Sequence, residues 1–278
     1  GDSANEGWSV MYQGMVALKR GFYAEAAAYH RSALELARQR GDGFQEGIHL
    51  TNLARVTLRL GDYPQALEQF QASLVLKQQN ADVMGQAFAR FYLGLTHLFC
   101  GAYEAAGDAF EASLALWQQV PKNERGVSYC HYGLGLLAFY QHRYAAAAGY
   151  FRQAHTTSLK LVLKAEIIEN LSFLGRAELG LGQCEAALEA SNEAMHLLRT
   201  QRDVEAVQNI YLNHYHVLSA CAAPGAEAAL VKAYEIVMEQ AQHLEDESAR
   251  LHFLERIPAN QEILSELQGK GDLLQKTL

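Results

Sequence analysis

The sequence predicts an all-α fold, a solenoid of stacked helix pairs with a capping helix at its C-terminal end. Three observations carry that expectation. A short pattern recurs at a spacing of about forty residues. Long stretches are dominated by Ala, Leu, Gln, Glu and Arg, which are good helix formers. All four prolines, Pro64, Pro121, Pro224 and Pro258, can be placed at helix ends.

The recurring pattern starts as "GFYAEAAAYHRSALEL" at Gly21, "GDYPQALEQFQASLVL" at Gly61 and "GAYEAAGDAFEASLAL" at Gly101. Weaker copies are "HRYAAAAGYFRQAHTT" at His142 and "GQCEAALEASNEAMHL" at Gly182. Their third residues are Tyr23, Tyr63, Tyr103, Tyr144 and Cys184, at spacings of 40, 40, 41 and 40. Three residues on, each copy has Ala: Ala26, Ala66, Ala106, Ala147 and Ala187. A further small residue follows at Ala33, Ser73, Ser113, Ala154 and Ala194. Small side chains at fixed register let helices approach closely.

Each copy reads as two helices. The first ends near the Gly of "GDY", because Gly tolerates the positive φ of a helix C-terminus. The second starts at the Tyr, and Pro64 falls in its first turn, where a missing N–H costs nothing. Pro121 and Pro224 fall between elements, and Pro258 precedes a terminal helix. A degenerate sixth copy has its first helix at Glu205–Cys221 and its second at Ala226–Gln242. The predicted repeats are 7–41, 47–81, 86–120, 126–161, 165–201 and 205–242. A capping region at 243–268 and a tail at 269–278 follow.

The chain has 278 residues, half of them hydrophobic, and a formal net charge of -8. No run of Lys and Arg supplies the basic surface that nucleic-acid binding needs, so no direct nucleic-acid contact is expected. No apolar run reaches the length of a membrane span, so no membrane partner is expected. Cys100, Cys130, Cys184 and Cys221 are far apart and make no C-x-x-C pair. They are expected to be four free thiols in a reducing cytoplasm. The opening "GDSANEG", without Met, is read as an expression remnant on a domain cut from a longer protein.

One stretch tests the helical reading. In "YGLGLLAFY", Gly133, Gly135 and Ala138 fit G-x-G-x-x-A, the loose dinucleotide fingerprint. That fingerprint works only where a strand ends and a helix begins, so that free N–H groups face a phosphate. Gly135 lies seven residues before His142, as Gly14, Ala54, Gly94 and Gly175 lie seven before their own turn residues. It is therefore expected to be a packing position inside a helix, not a nucleotide site. The pair His214 and His216 is spaced i, i+2, which does not share a helix face. H-E-x-x-H, G-x-S-x-G and P-loop patterns are missing from the sequence. No enzyme activity, cofactor or metal is expected.

The recurring register, with "ARVTLRLGDY" from Ala54 and "GLTHLFCGAY" from Gly94, resembles the tetratricopeptide repeat family from about residue 8 to 242. The long spacing is similar to the repeats of kinesin light chains and of bacterial signalling and transcription regulators. The resemblance implies a right-handed solenoid whose first helices line a concave groove. It also implies which positions face the groove: 13, 10, 6 and 2 residues before each turn residue. The second repeat then offers Ile48, Thr51, Arg55 and Arg59, and the third Phe88, Phe91, Leu95 and Phe99. The fourth offers Tyr129, Tyr132, Leu136 and Tyr140, and the fifth Glu169, Ser172, Arg176 and Gly180. Aromatics flanked by Arg are residue types enriched at binding hot spots.

The carboxylate clamp of chaperone-binding relatives needs Lys and Asn at positions held here by Met11, Met15, Asn52, Phe88 and Tyr92. Only Asn52 matches, so that clamp is not expected. The leading functional expectation is a protein- or peptide-binding module in a bacterial signalling or regulatory protein. The alternatives are a sensor domain for a small molecule such as a sugar, and a scaffold that self-associates through exposed end helices.

Overall fold

The computed structural model describes residues 2–201 and 203–270, with side chains described from residue 9 onward. The described residues form fourteen helices and no strand. The first four are α1 (Asp2–Lys19), α2 (Tyr23–Gln39), α3 (Gly43–Arg59) and α4 (Tyr63–Gln79). Then come α5 (Val83–Phe99), α6 (Tyr103–Gln119), α7 (Glu124–Tyr140) and α8 (Tyr144–Lys160). They are followed by α9 (Lys164–Gly180), α10 (Cys184–Leu198), α11 (Val207–Ala220) and α12 (Ala226–Gln242). The C-terminal region holds α13 (Glu247–Arg256) and α14 (Pro258–Gln268). One capping helix was expected there; two form, broken at Ile257, whose extended backbone is what a residue before proline prefers. Most of the expected tail, residues 271–278, lies outside the described residues.

The even-numbered helices from α2 to α10 start at the repeated Tyr or Cys position, as the register predicts. Local chemistry sets the ends. Gly21, Gly61, Gly101 and Gly182 hold φ between 75° and 79° at the turn inside each pair. There the chain reverses through a short 5→2 and 6→1 pair of hydrogen bonds, such as Gly101 N–H to Leu98 and Ala102 N–H to His97. His142 takes the same left-handed conformation in the fourth copy without glycine's freedom. Asp42, Asp62 and Asp82 cap α3, α4 and α5 by accepting from the N–H groups of Gln45, Gln65 and Gly85 at 3.0, 3.3 and 2.8 Å.

The chain packs as two compact units. One comprises residues up to Cys130 with His243–Phe253; the other comprises His131–Gln242 and the described residues from Leu254. The division falls within α7. In the first unit Ala26, Ala66 and Ala106 are fully buried, as are Phe70 and Phe110 from α4 and α6. The ring of Phe110 lies where a Cβ on Gly94 would come within 2.6 Å. Ser73 and Ser113 satisfy their buried hydroxyls by donating to the carbonyls of Gly47 and Ala87 at 2.8 and 2.7 Å. His243 and Phe253 pack on Phe22 and Tyr23, at the turn between α1 and α2.

The second unit repeats the same solution. Ala147 and Ala187 are fully buried, and Phe151 fills the space beside Gly135, whose Cβ would sit 2.7 Å from the ring. Gly133 and Gly135 are therefore helix-interior residues, and the fingerprint-like stretch is a packing motif. The expectation of four free thiols is overturned: Cys184 and Cys221 form a disulfide with a Cα–Cα distance of 5.7 Å. The register explains the pairing. The residue that opens the second helix of a pair packs against the end of the next first helix, as Tyr63 does with Phe99 and Tyr144 with Gly180. In the fifth copy that residue is Cys184, and the neighbouring helix end carries Cys221. The sequence argument for a reducing compartment, which rested on four free thiols, lapses with it. Cys100 is exposed and Cys130 is buried, both as thiols. No described helix is long and apolar enough to cross a membrane.

Candidate functional site

The first unit gathers an aromatic cluster from α4 to α7. Phe88 on α5 meets Trp117 edge-on at 5.4 Å and Tyr129 at 5.7 Å between ring centroids. Phe91 touches Tyr92, Phe110 and Tyr129. Tyr92 is stacked on Phe70, with rings 5.5 Å apart and 8° from parallel. Two guanidinium groups frame the cluster. Arg55 lies 5.1 Å above the Tyr92 ring, and Arg125 lies 5.5 Å above Tyr129. Such contacts attract because the ring face is negative. Arg55 Nη1 is also 3.5 Å from Asn52 Oδ1, one turn earlier on α3.

The register therefore brings Arg55, Phe88, Phe91 and Tyr129 together, but not all as surface. Phe88 and Tyr129 are half-buried and keep an accessible edge. Phe91 and Leu95 are only 5% and 8% exposed. They are core supports, and the expectation that they touch a ligand does not fit that burial. Phe99 is half-buried and packs on Tyr63, 6.3 Å away. Arg59 is half-buried near the end of α3.

The second unit builds a related arrangement. Tyr132 is half-buried against Phe151 and Phe173, both 6.0 Å away. Tyr140 meets Phe139 edge-on at 5.7 Å. Arg176 lies 5.4 Å over the Phe139 ring, and its Nη1 is 3.4 Å from Asn213 Oδ1. Asn213 in turn donates to Ser172 Oγ at 3.0 Å. Burial lowers the Arg176 guanidinium from its ordinary value, opposed by the charges of Glu262, Tyr140, Tyr144 and Glu266. An arginine remains a cation under such a shift.

Carboxylates from α14 complete this side. His216 Nε2 is 2.7 Å from Glu262 Oε1, and Tyr215 donates to Glu266 Oε2 at 2.6 Å. Burial pushes the Glu262 carboxyl up, but the hydrogen bond and charge of His216 and the charge of Arg176 outweigh it, and the net shift is down. Burial and the Glu266 contact push the Tyr215 phenol up to about 12.

Sequence reasoning missed Tyr92, Arg125, Asn213 and Glu262. For Asn213 a signal was present. Asn52 and Asn213 share one register position, nine residues before their turn residues, and each accepts from an Arg at the position six before. Among the described residues no group of three His, Cys, Asp or Glu could hold a metal ion. A separate depression of about 440 Å3 opens on α1 and α2, lined by residues that include Tyr12, Val16, Arg20 and Glu25. None of the predicted groove residues lines it.

Similar solved structures share the architecture. The chain superposes on a Rap protein complexed with competence and sporulation factor with a TM-score of 0.69 at 15% identity, covering 98% of this chain and 77% of that one. It superposes on the apo quorum sensor NprR from B. thuringiensis with a TM-score of 0.64 at 13% identity, covering 95% and 75%. For BtubC (BKLC) from P. vanneervenii the TM-score is 0.59 at 17% identity, covering 79% and 92%. Identities this low establish the shared fold alone. No curated protein matches the chain. The tetratricopeptide repeat family matches residues 9–79 and 86–160, together more than half of the chain. With its helix pairs, its turn glycines and its buried small-residue register, the chain belongs to the tetratricopeptide repeat family and is a protein-interaction module.

Proposed function

We propose that the chain recognises an acidic segment of a protein or peptide partner, as part of a bacterial signalling or regulatory protein. One observation carries this reading. In each unit an Arg six residues before its turn is laid over an aromatic ring and steered by an Asn. Arg55 and Arg176 are thereby held in position before any partner arrives. Their planar donor forks match carboxylates and backbone carbonyls. Preorganisation of this kind lowers the side-chain entropy lost on binding. Half-buried rings supply apolar edges within each unit, Phe88 and Tyr129 in the first and Tyr132 and Tyr140 in the second. Further support comes from the fold neighbours, one a quorum sensor and one crystallised with competence and sporulation factor.

The test is selection from a displayed peptide library. The native protein enriches acidic peptides that carry an apolar side chain, and their binding weakens with salt because exposed charge contacts are screened. Arg55→Ala with Arg176→Ala lowers the affinity of those peptides by about tenfold or more, the scale of a hot-spot loss. Unchanged affinity in the double variant, with an unchanged thermal melt, sinks the proposal.

A further inference from the structure

α14 carries two stripes with different tasks. Ile263 and Leu267, four residues apart, are fully buried and anchor the helix in the second unit. Glu262 and Glu266, also four apart, form the neighbouring stripe, a spacing that puts both carboxylates on one face. Both reach α11. Glu266 accepts from the Tyr215 hydroxyl at 2.6 Å, and Glu262 Oε1 lies 2.7 Å from His216 Nε2. The register shows what Glu262 meets there. Ala222 holds φ at 51° at the turn after α11. Its N–H donates to Ser219 and that of Ala223 to Leu218, the same pair of bonds as at Gly101. His216 therefore stands six residues before its turn, the position of Arg55 and Arg176. Glu262 and Arg176 also sense each other's charge. One carboxylate thus serves two consecutive members of the register, on α9 and α11. The Glu262 side chain is nonetheless 42% exposed. It can turn out into solvent about its own bonds while Ile263 and Leu267 stay buried.

We propose that Glu262 is a built-in competitor at Arg176: it supplies the carboxylate that a partner would bring, and an acidic segment binds the second unit by displacing it. This regulation rests on the acidic-partner reading above. α14 itself has the chemistry of such a segment, carboxylates beside apolar side chains that are buried. Two carboxylates crowded on one guanidinium repel each other, so arrival of the second favours release of the first. A lone carboxylate gains little from the exchange, since one ion pair replaces another. A segment that also lays an apolar side chain on half-buried Tyr132 or Tyr140 gains a contact that Glu262 does not give. Glu262 is thereby a specificity-determining residue, which filters out free acids and passes acidic chains with an apolar neighbour. It weakens every acidic ligand in proportion to the fraction of time that Arg176 is covered.

Nuclear magnetic resonance of the arginine side chains tests it. The probe is N-acetylglutamate amide, one Glu side chain without charged ends. The readout is the Arg176 Nε–H cross-peak, identified by its loss in Arg176→Lys. The Glu262→Gln chain half-saturates at about tenfold lower probe concentration than the native chain, the ratio for an Arg176 uncovered about a tenth of the time. Glu239→Gln removes the same charge from the exposed side of α12 and behaves like the native chain. Thermal melts verify folding, and Glu262→Met, of similar length and uncharged, replaces Glu262→Gln if the latter melts early. Equal half-saturation in the native and Glu262→Gln chains overturns the proposal. So does an equal gain in Glu239→Gln, which marks a general charge effect, or a Glu262→Gln chain whose cross-peak never moves. Failure of the partner reading looks different. A library that enriches no acidic peptide sinks that reading, while a tenfold gap for the probe leaves the competition by Glu262 standing.

Discussion

His30→Phe should stabilise the protein, and should stabilise it more as the pH falls. His30 on α2 occupies the register position of Phe70, Phe110 and Phe151, and like them it is 0% exposed. Its ring faces Gly14 as the Phe rings face Gly94 and Gly135, with a Cβ on Gly14 falling 2.7 Å away against 2.6 and 2.7 Å at the other two. A phenyl ring therefore fits the space. Neither ring nitrogen of His30 has a hydrogen-bond partner. Burying an unsatisfied polar group costs about 1–3 kcal/mol, so removing it returns a gain of that size at neutral pH. Burial, with the nearby charges of His49 and Arg55, lowers the His30 pKa from 6.5 to about 4. A depressed histidine is neutral when folded, while the unfolded chain takes up the proton first. The stability is thus fully present above pH 6.5 and is lost as the pH falls from there through 4. From these two values the loss reaches about 2 kcal/mol at pH 5 and approaches about 3.4 kcal/mol below pH 4. Urea unfolding of both proteins at pH 7 and pH 5 reads the difference directly. The native chain should lose about 2 kcal/mol more than the variant between those values, while the contributions of histidines not coupled to His30 cancel in the comparison. Equal losses in the two proteins, or a variant less stable at pH 7, would refute the reasoning.

Two further stability outcomes follow from the turns and the disulfide. Val162 is 72% exposed with φ at 56°, a left-handed conformation that a β-branched residue resists. Val162→Gly should gain about 0.5–1 kcal/mol in urea unfolding, after glycine's extra unfolded entropy is subtracted; a loss would show that the turn does not hold this conformation. A non-reducing digest should yield the Cys184 and Cys221 peptides joined, and reduction should lower stability by about 2–4 kcal/mol for a loop of this size. Separate peptides, or identical urea midpoints with and without reductant, would contradict the pairing.

Helix order and helix ends were legible in the sequence because their causes are local. Gly21, Gly61 and Gly101 stop helices through backbone freedom, and Pro64 fits only a first turn; the Asp42 and Asp82 caps, equally local, emerged only from the structure. The forty-residue register added what single residues could not. It placed Ala26, Ala66 and Ala106 in the core, and it identified Gly135 as a packing position inside a helix rather than a phosphate cradle; the structure added the Phe151 ring that it seats. The same register located Arg55 and Arg176, but not what they do. That Arg55 lies on Tyr92, or that Asn213 reaches Arg176 from the next repeat, depends on side-chain directions across helices far apart in sequence. Burial likewise separated Phe91 and Leu95 from Phe88 and Tyr129, although the family resemblance assigns all four to the groove. The Cys184–Cys221 bond and the neutral, unpartnered His30 needed tertiary structure for the same reason. A thiol's partner and a histidine's charge are set by neighbours within a few ångströms, and only the stacking of repeats decides which neighbours those are.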